Sequence, residues 1–142
     1  MDASFHAFQK EVEDWHWWYR VRRDILDQQL LRFGLDPARA RILDVGCGTG
    51  GAALTLARHG RAVALDRSPG SFALAMDRPY THRVVASAAE PLPFADASFD
   101  VVCALDILER LDDDAACARE LERVCQPGRS EARRAGNECR SR

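Results

Sequence analysis

An α/β fold, with a doubly wound and mostly parallel sheet of about four strands behind an N-terminal helical cap, is predicted by three observations. From Arg41 onward, short and nearly continuous apolar runs alternate with stretches of helical periodicity, the pattern of parallel strands covered on both faces. A glycine-rich turn, ILDVGCGTGG, stands between the first such run and the helical stretch that follows it. With 142 residues, the chain has the size of one domain and one core.

Taken in order, Phe5, Phe8, Val12 and Trp15 recur at helical spacing, and Val21, Ile25, Leu26, Leu30 and Phe33 do so again before Gly34 supplies a stop. Between them lies WHWWYRVRR, which has two readings. Trp15, Trp17, Trp18 and Tyr19 could pack as an anchor for the cap, or form a lid over a ligand pocket with Arg20 or Arg23 reaching a carboxylate. Strands are expected at 42–45, 62–65, 84–86 and 99–104. Helices are expected at 50–59 closed by Gly60, after Ser68 and Pro69, and at 113–125 before Pro127 and Gly128. The stretch SAAEPLPFADAS, with two prolines and small residues, reads as a loop. The chain thus divides into a cap at 1–40, a core at 41–128 and a basic tail at 129–142, whose five arginines without Val, Ile, Leu or aromatic residues predict disorder.

Composition narrows the function classes. A hydrophobic content of 46% and a net charge of −2 are those of a soluble globular protein and point to neither nucleic acid nor membrane as a partner. The charged N-terminus and the lack of a long apolar run predict a cytoplasmic location. Five cysteines without a C-x-x-C pair indicate neither a disulfide framework nor a zinc site, so no metal is expected. Lysine occurs once and arginine nineteen times, with twenty-two alanines, which fits GC-rich codons better than a binding surface.

The glycine turn satisfies two patterns: Gly46, Gly48 and Gly50 fit G-x-G-x-G, while Gly46, Gly48 and Gly51 fit G-x-G-x-x-G. A Walker-type phosphate loop is excluded, because Ala52 and Ala53 stand where Lys-Ser/Thr is required. Asp66, twenty residues after Gly46 at the end of the second strand, is placed to meet ribose hydroxyls. Asp44, two residues before the first glycine, disfavours a doubly negative pyrophosphate and favours a cationic, phosphate-free adenosine derivative, of which S-adenosylmethionine is the common example.

The ordered blocks ILDVGCGTG, ALDRSPG, AEPLPFADASFDVV, ALDILERLDD and ARELERVCQPG resemble the class I S-adenosylmethionine-dependent methyltransferases, in particular the small-molecule branch called methyltransferase type 11. The segment WHWWYRVRRDIL is similar to the aromatic-arginine opening of some bacterial members. The resemblance implies a Rossmann-like fold and S-adenosylmethionine as cofactor. It implies that Gly46, Gly48 and Gly50, with Cys47 between the first two, line the methionine and ribose portion, and that Asp44 lies near the methionine amine. Asp66 would hold the ribose hydroxyls, Arg67 would flank the adenine, and Ala89 and Glu90 would frame its ring. Asp106 would lie at the mouth between cofactor and acceptor, and Asp106 and Glu109 are the candidates for an acid or base.

The sequence departs from the family pattern in three places. Ala88 stands where an acid often precedes the Ala-Glu pair, and Arg110 replaces a histidine common in that block, removing a histidine base. The family sheet has seven strands, whereas four are read before Pro127 and Gly128, and the arginine-rich tail stands where a fifth is expected. A truncated or frame-shifted coding sequence is the expectation this raises, and it sets a non-catalytic cofactor-binding fragment beside a small-molecule methyltransferase as the alternative function. A nicotinamide-dependent protein is disfavoured by Asp44 and the LPF…SFD block.

Overall fold

A computed structural model describes residues 3–105 and 107–127. Two helices, α1 (Ala3–Glu13) and α2 (Trp17–Arg32), precede β1 (Arg41–Val45). Then follow α3 (Ala53–His59), β2 (Arg61–Asp66), α4 (Pro69–Leu74), β3 (His82–Val85), β4 (Val101–Ala104), a single 3-10 turn (Leu108–Arg110) and α5 (Asp114–Val124). The four strands form one sheet in the order β3-β2-β1-β4, with every pairing parallel. Leu43 stands opposite Val63 on one side and Val102 on the other. The first strand in the chain is therefore interior to the sheet, and the doubly wound arrangement follows from its crossovers.

Side-chain alternation along β1 divides the core in two. Ile42 packs with Leu26 and Leu30 of α2, Ala53 and Leu56 of α3 and Phe72 of α4. Leu43 and Val45 face the other way, toward Leu92, Phe99, and Cys117 and Val124 of α5. Leu43, Val45, Ile42 and Leu56 are fully buried, each burial stabilising by about 1.5–3 kcal/mol. Cys47, Cys103, Cys117 and Cys125 are buried free thiols, as expected for small core residues, while Cys139 lies outside the described residues.

Local chemistry accounts for the helix ends. Gly34 takes φ +56 just past α2, where an L side chain would be strained. Asp113 caps α5 by accepting from the Ala116 N–H at 2.8 Å. Pro69 opens α4 as foreseen, although Ser68 makes no side-chain cap bond. The predicted helix at 50–59 starts only at Ala53, since 50–52 remain in the turn. The stretch SAAEPLPFADAS, 87–98, contains no helix or strand, in agreement with its reading as a loop, whereas β4 begins at Val101, two residues later than expected, and Phe99 makes only an isolated bridge to Cys125.

The cap departs from expectation. Trp15, Trp17 and Trp18 are 64%, 66% and 49% exposed, so they do not anchor it. Val21 and Ile25 are exposed too, because they lie on the side of α2 opposite Leu26 and Leu30, the pair that enters the core. Polar contacts attach α1 instead: Lys10 reaches Asp77 at 2.7 Å and the Leu74 carbonyl. Arg23 of α2 donates to the Glu13 carbonyl at 2.5 Å. The tail at 129–142, expected to be disordered, lies outside the described residues. Among the described residues no helix is long and apolar enough to cross a membrane.

Candidate functional site

All four strands are parallel, so the segments that follow them, beginning at residues 46, 67, 86 and 105, leave the sheet at one end. That end is where ligands bind in open α/β sheets. The turn after β1 carries Gly46, Gly48 and Gly50 at φ +73, +54 and +82, values that only glycine adopts without strain. Gly51 has no such value, and its bare Cα serves a different purpose. A Cβ there would stand 2.9 Å from the carboxylate carbon of Glu13, so α1 could not come so close. The double match of the sequence is thereby divided: three glycines shape the turn, and the fourth admits a neighbour.

Asp66 ties this turn to the end of β2. Its Oδ2 accepts from the Gly48 N–H at 2.9 Å and its Oδ1 from the Ser68 N–H at 2.8 Å. The Gly46 and Cys47 N–H groups both donate to the Leu65 carbonyl, at 2.7 and 3.1 Å. One strand end therefore holds the turn by its backbone and by its acid together. Arg67 is exposed beside it, as are Ala89 and Glu90 after β3, while Ala88 is buried against the α5 face. The Ala89 N–H donates to Ser87 Oγ at 3.2 Å, which sets the backbone of that block. Asp106 lies outside the described residues; Glu109 falls in the 3-10 turn after β4, its side chain likewise not described. Arg110, where a family histidine is common, is exposed.

Asp44 is buried, on the α3 side of β1, and accepts a 2.5 Å hydrogen bond from the Tyr80 hydroxyl. Burial pushes its carboxyl up to about 6, although the Tyr80 bond works in the opposite direction; the nearby charge of Asp66 adds to the rise. Its direct contact is thus with the protein underneath the turn. Burial raises the Cys47 thiol well above its ordinary range, so Cys47 shapes the turn and is no thiolate nucleophile.

Several residues at this end had no signal in the sequence. Thr49 donates to Glu13 Oε1 at 2.6 Å, and Gln9 donates to the same oxygen at 2.9 Å. Arg78, from the segment before β3, lies under Gly50, where a Cβ would stand 2.8 Å from its Cγ. Ile107 covers Gly46 in the same way, its Cδ1 2.4 Å from where a Cβ would be. Two open clefts lie elsewhere, one around Gly34, Asp36, Arg41 and Asp100 and one around Asp96, Arg123 and Pro127. The first sits at the opposite ends of β1 and β4, so neither is the site read from the turn.

Known proteins share this frame. A malonyl-[acyl-carrier protein] O-methyltransferase from Serratia marcescens is 32% identical over 109 residues, covering 76% of this chain and 42% of that protein. The 27-O-demethylrifamycin SV methyltransferase of Amycolatopsis mediterranei is 38% identical over 105 residues, covering 67% of this chain and 39% of its own. A solved Methanococcus maripaludis structure assigned to the S-adenosyl-L-methionine-dependent methyltransferases superposes with a TM-score of 0.75 over 89% of this chain and 60% of that one, at 21% identity, which speaks for the fold. The chain spans about two-fifths of the length of these curated relatives. The glycine turn and the acid that holds it fall within residues 43–129, which match the family profile described as "Methyltransferase domain", and the chain belongs to that family.

Proposed function

We propose that this chain binds S-adenosylmethionine at the exposed ends of β1 and β2 and serves transfer of its methyl group to a small-molecule acceptor. The observation that carries the reading is the union of Asp66 with the glycine turn, a carboxylate held by the Gly48 and Ser68 N–H groups at the mouth of a parallel sheet. Each Asp66 oxygen keeps accepting capacity beyond these bonds, enough for a pair of vicinal hydroxyls. At Gly48 the nearest atom to a Cβ position is Gln9 Nε2, at 3.8 Å, so the backbone there is open to close approach. Two acids, Asp44 and Asp66, and no lysine in the turn suit a cationic nucleoside better than a pyrophosphate. The rifamycin named for the Amycolatopsis relative supports a small-molecule acceptor.

In this reading residues 1–40 form a cap and 41–128 the cofactor-binding core. Gly46, Cys47, Gly48 and Gly50 would receive the methionine and ribose portion, Asp66 the hydroxyls, and Arg67, Ala89 and Glu90 the adenine side. Asp44 would act through its charge from beneath the turn. The cofactor brings an already activated sulfonium methyl. The chain's own contribution is orientation, with an acid or base from Asp106 or Glu109 needed only where the acceptor holds a proton.

Calorimetric titration with S-adenosylhomocysteine and, separately, with NAD tests the proposal. Binding of the first, weakened roughly tenfold or more by Asp66→Ala, is the expected result. Binding of NAD alone would overturn it.

A further inference from the structure

Helix α2 carries two apolar stripes, and the core uses one of them. Leu26 and Leu30 enter it, while Trp17, Trp18, Val21 and Ile25 recur at helical spacing on the opposite side and are between 44% and 66% exposed. The Trp17 ring stacks on that of His16 at 5.9 Å and meets Trp18 edge to face at 5.9 Å, so the stripe begins with rings that pack on one another in the open. Single apolar side chains on a surface are ordinary, whereas a contiguous patch of several hundred Å² marks a place where another molecule sits. One flank of the stripe carries Arg20 and Asp24, one turn apart and exposed. Neither side chain forms an ion pair among the described residues.

A second copy of this chain complements that face in shape and in charge. When α2 packs antiparallel on its counterpart across a two-fold axis near Val21, Trp17 and Trp18 of each copy lie over Ile25 of the other. A two-fold axis brings like flanks together, so Arg20 of each copy falls beside Asp24 of the other and the pair is made twice. Arg22, which would otherwise face its own copy near the axis, is turned over the Tyr19 ring, 5.9 Å from its centroid. The exposed apolar parts amount to roughly 400 Å² per copy, and with the flanking side chains the contact buries on the order of 1,000 Å² in total, the size at which a specific interface forms. We propose that α2 is a homodimer interface, in which the exposed tryptophan stripe of one copy packs antiparallel on that of a second copy. Dimerisation supplies the burial that the core does not give these tryptophans. The contact uses none of the residues assigned to the cofactor, so it stands or falls separately from that reading.

Sedimentation velocity of the intact chain at about 1 to 100 μM tests the interface. The expected result is a rise from monomer to dimer mass with concentration. Ile25→Glu should stay monomeric throughout, because it sets a carboxylate in the apolar centre of the contact. Arg20→Asp and Asp24→Arg each place like charges across the axis and should weaken dimerisation roughly tenfold. The double variant Arg20→Asp/Asp24→Arg exchanges the two charges and should restore it to within about twofold of wild type. All three positions are exposed in the single chain, so the variants keep its fold, which circular dichroism checks. A monomer mass over the whole range would overturn the proposal, as would association that the charge variants leave unchanged, since the contact would then lie on another face. Co-sedimentation of a chain that stays monomeric with vesicles of phosphatidylcholine and phosphatidylserine would overturn it too, by giving the stripe to a lipid surface.

Discussion

Two arginines, Arg78 and Arg123, each join a helix to a loop, on opposite sides of the sheet and with opposite degrees of satisfaction. Arg123 of α5 donates from Nε to Glu120 at 2.8 Å, from Nη1 to the Phe94 carbonyl and Asp96, both at 2.8 Å, and from Nη2 to the Leu92 carbonyl at 3.0 Å and Glu120 at 2.7 Å. Glu120 in turn accepts from the Leu92 N–H at 2.8 Å. Here the long loop between β3 and β4 is pinned, and nothing in the network is left over. Arg78 makes one good ion pair, with Asp14, and keeps Nε and Nη2 unpaired although it is far more buried. A saturated network of this kind is a fastening for a loop without regular structure. Arg78, packed with Glu13 against Gly50 and Gly51, is held by fewer bonds.

The largest expected effect tests the fastening. Arg123→Ala should lower the midpoint of denaturation, because several bonds to loop carbonyls are lost at once. Chemical denaturation measures it, and an unchanged midpoint would show the network to be ornamental. The pH profile sharpens the point. The Arg123 side-chain bond, with the Leu92 N–H, holds Glu120 down at about 2, below its ordinary 4.5. Its contribution is therefore complete above about pH 4.5 and is lost as pH falls toward 2, a limb that Arg123→Ala should lack.

The glycine-turn side should behave in the reverse sense. Asp44 is raised from 3.8 to about 6 by burial, so the folded state binds a proton that the unfolded chain has released, and stability from this group declines as pH climbs between those values. Asp44→Asn should therefore stabilise the chain at pH 8 by about 3 kcal/mol, with little difference at pH 3. Thermal melts at the two pH values decide it; destabilisation at pH 8 would mean that the ionised carboxylate is needed by the turn. The smallest effect is expected for the double variant Glu13→Gln/Arg78→Met, within about 1 kcal/mol of wild type, since removing both members of an imperfect buried pair is close to neutral. A loss as large as that of Arg123→Ala would erase the contrast between the two arginines.

Much of the ligand end was legible because its chemistry is local. The turn at Gly46, Gly48 and Gly50, the strand before it and Asp66 at the end of the next strand all follow from spacing within about one βαβ unit. Asp44 was legible as an acid beside the turn but not as a partner of Tyr80, thirty-six residues away in the chain. The same separation holds for Glu13 and Thr49, and Asp14 and Arg78 are sixty-four residues apart. Nothing in the rhythm of apolar residues marks such pairs. The aromatic run at 15–18 was misleading for a related reason: periodicity shows that a helix has an apolar stripe, and α2 turns a different stripe, Leu26 and Leu30, toward the core.

By itself, then, the amino-acid sequence determined the alternation of parallel strands and helices, the backbone shape of the turn and the acid that closes it. These depend on side-chain period and on φ values that few residues tolerate, and both are properties of neighbours in the chain. Only the tertiary structure decided that α1 lies on the turn through Glu13, that Arg78 comes up beside it, and that the tryptophans face away. Those outcomes depend on how separately formed elements pack against one another, where burial and charge are settled jointly by residues that the sequence keeps far apart.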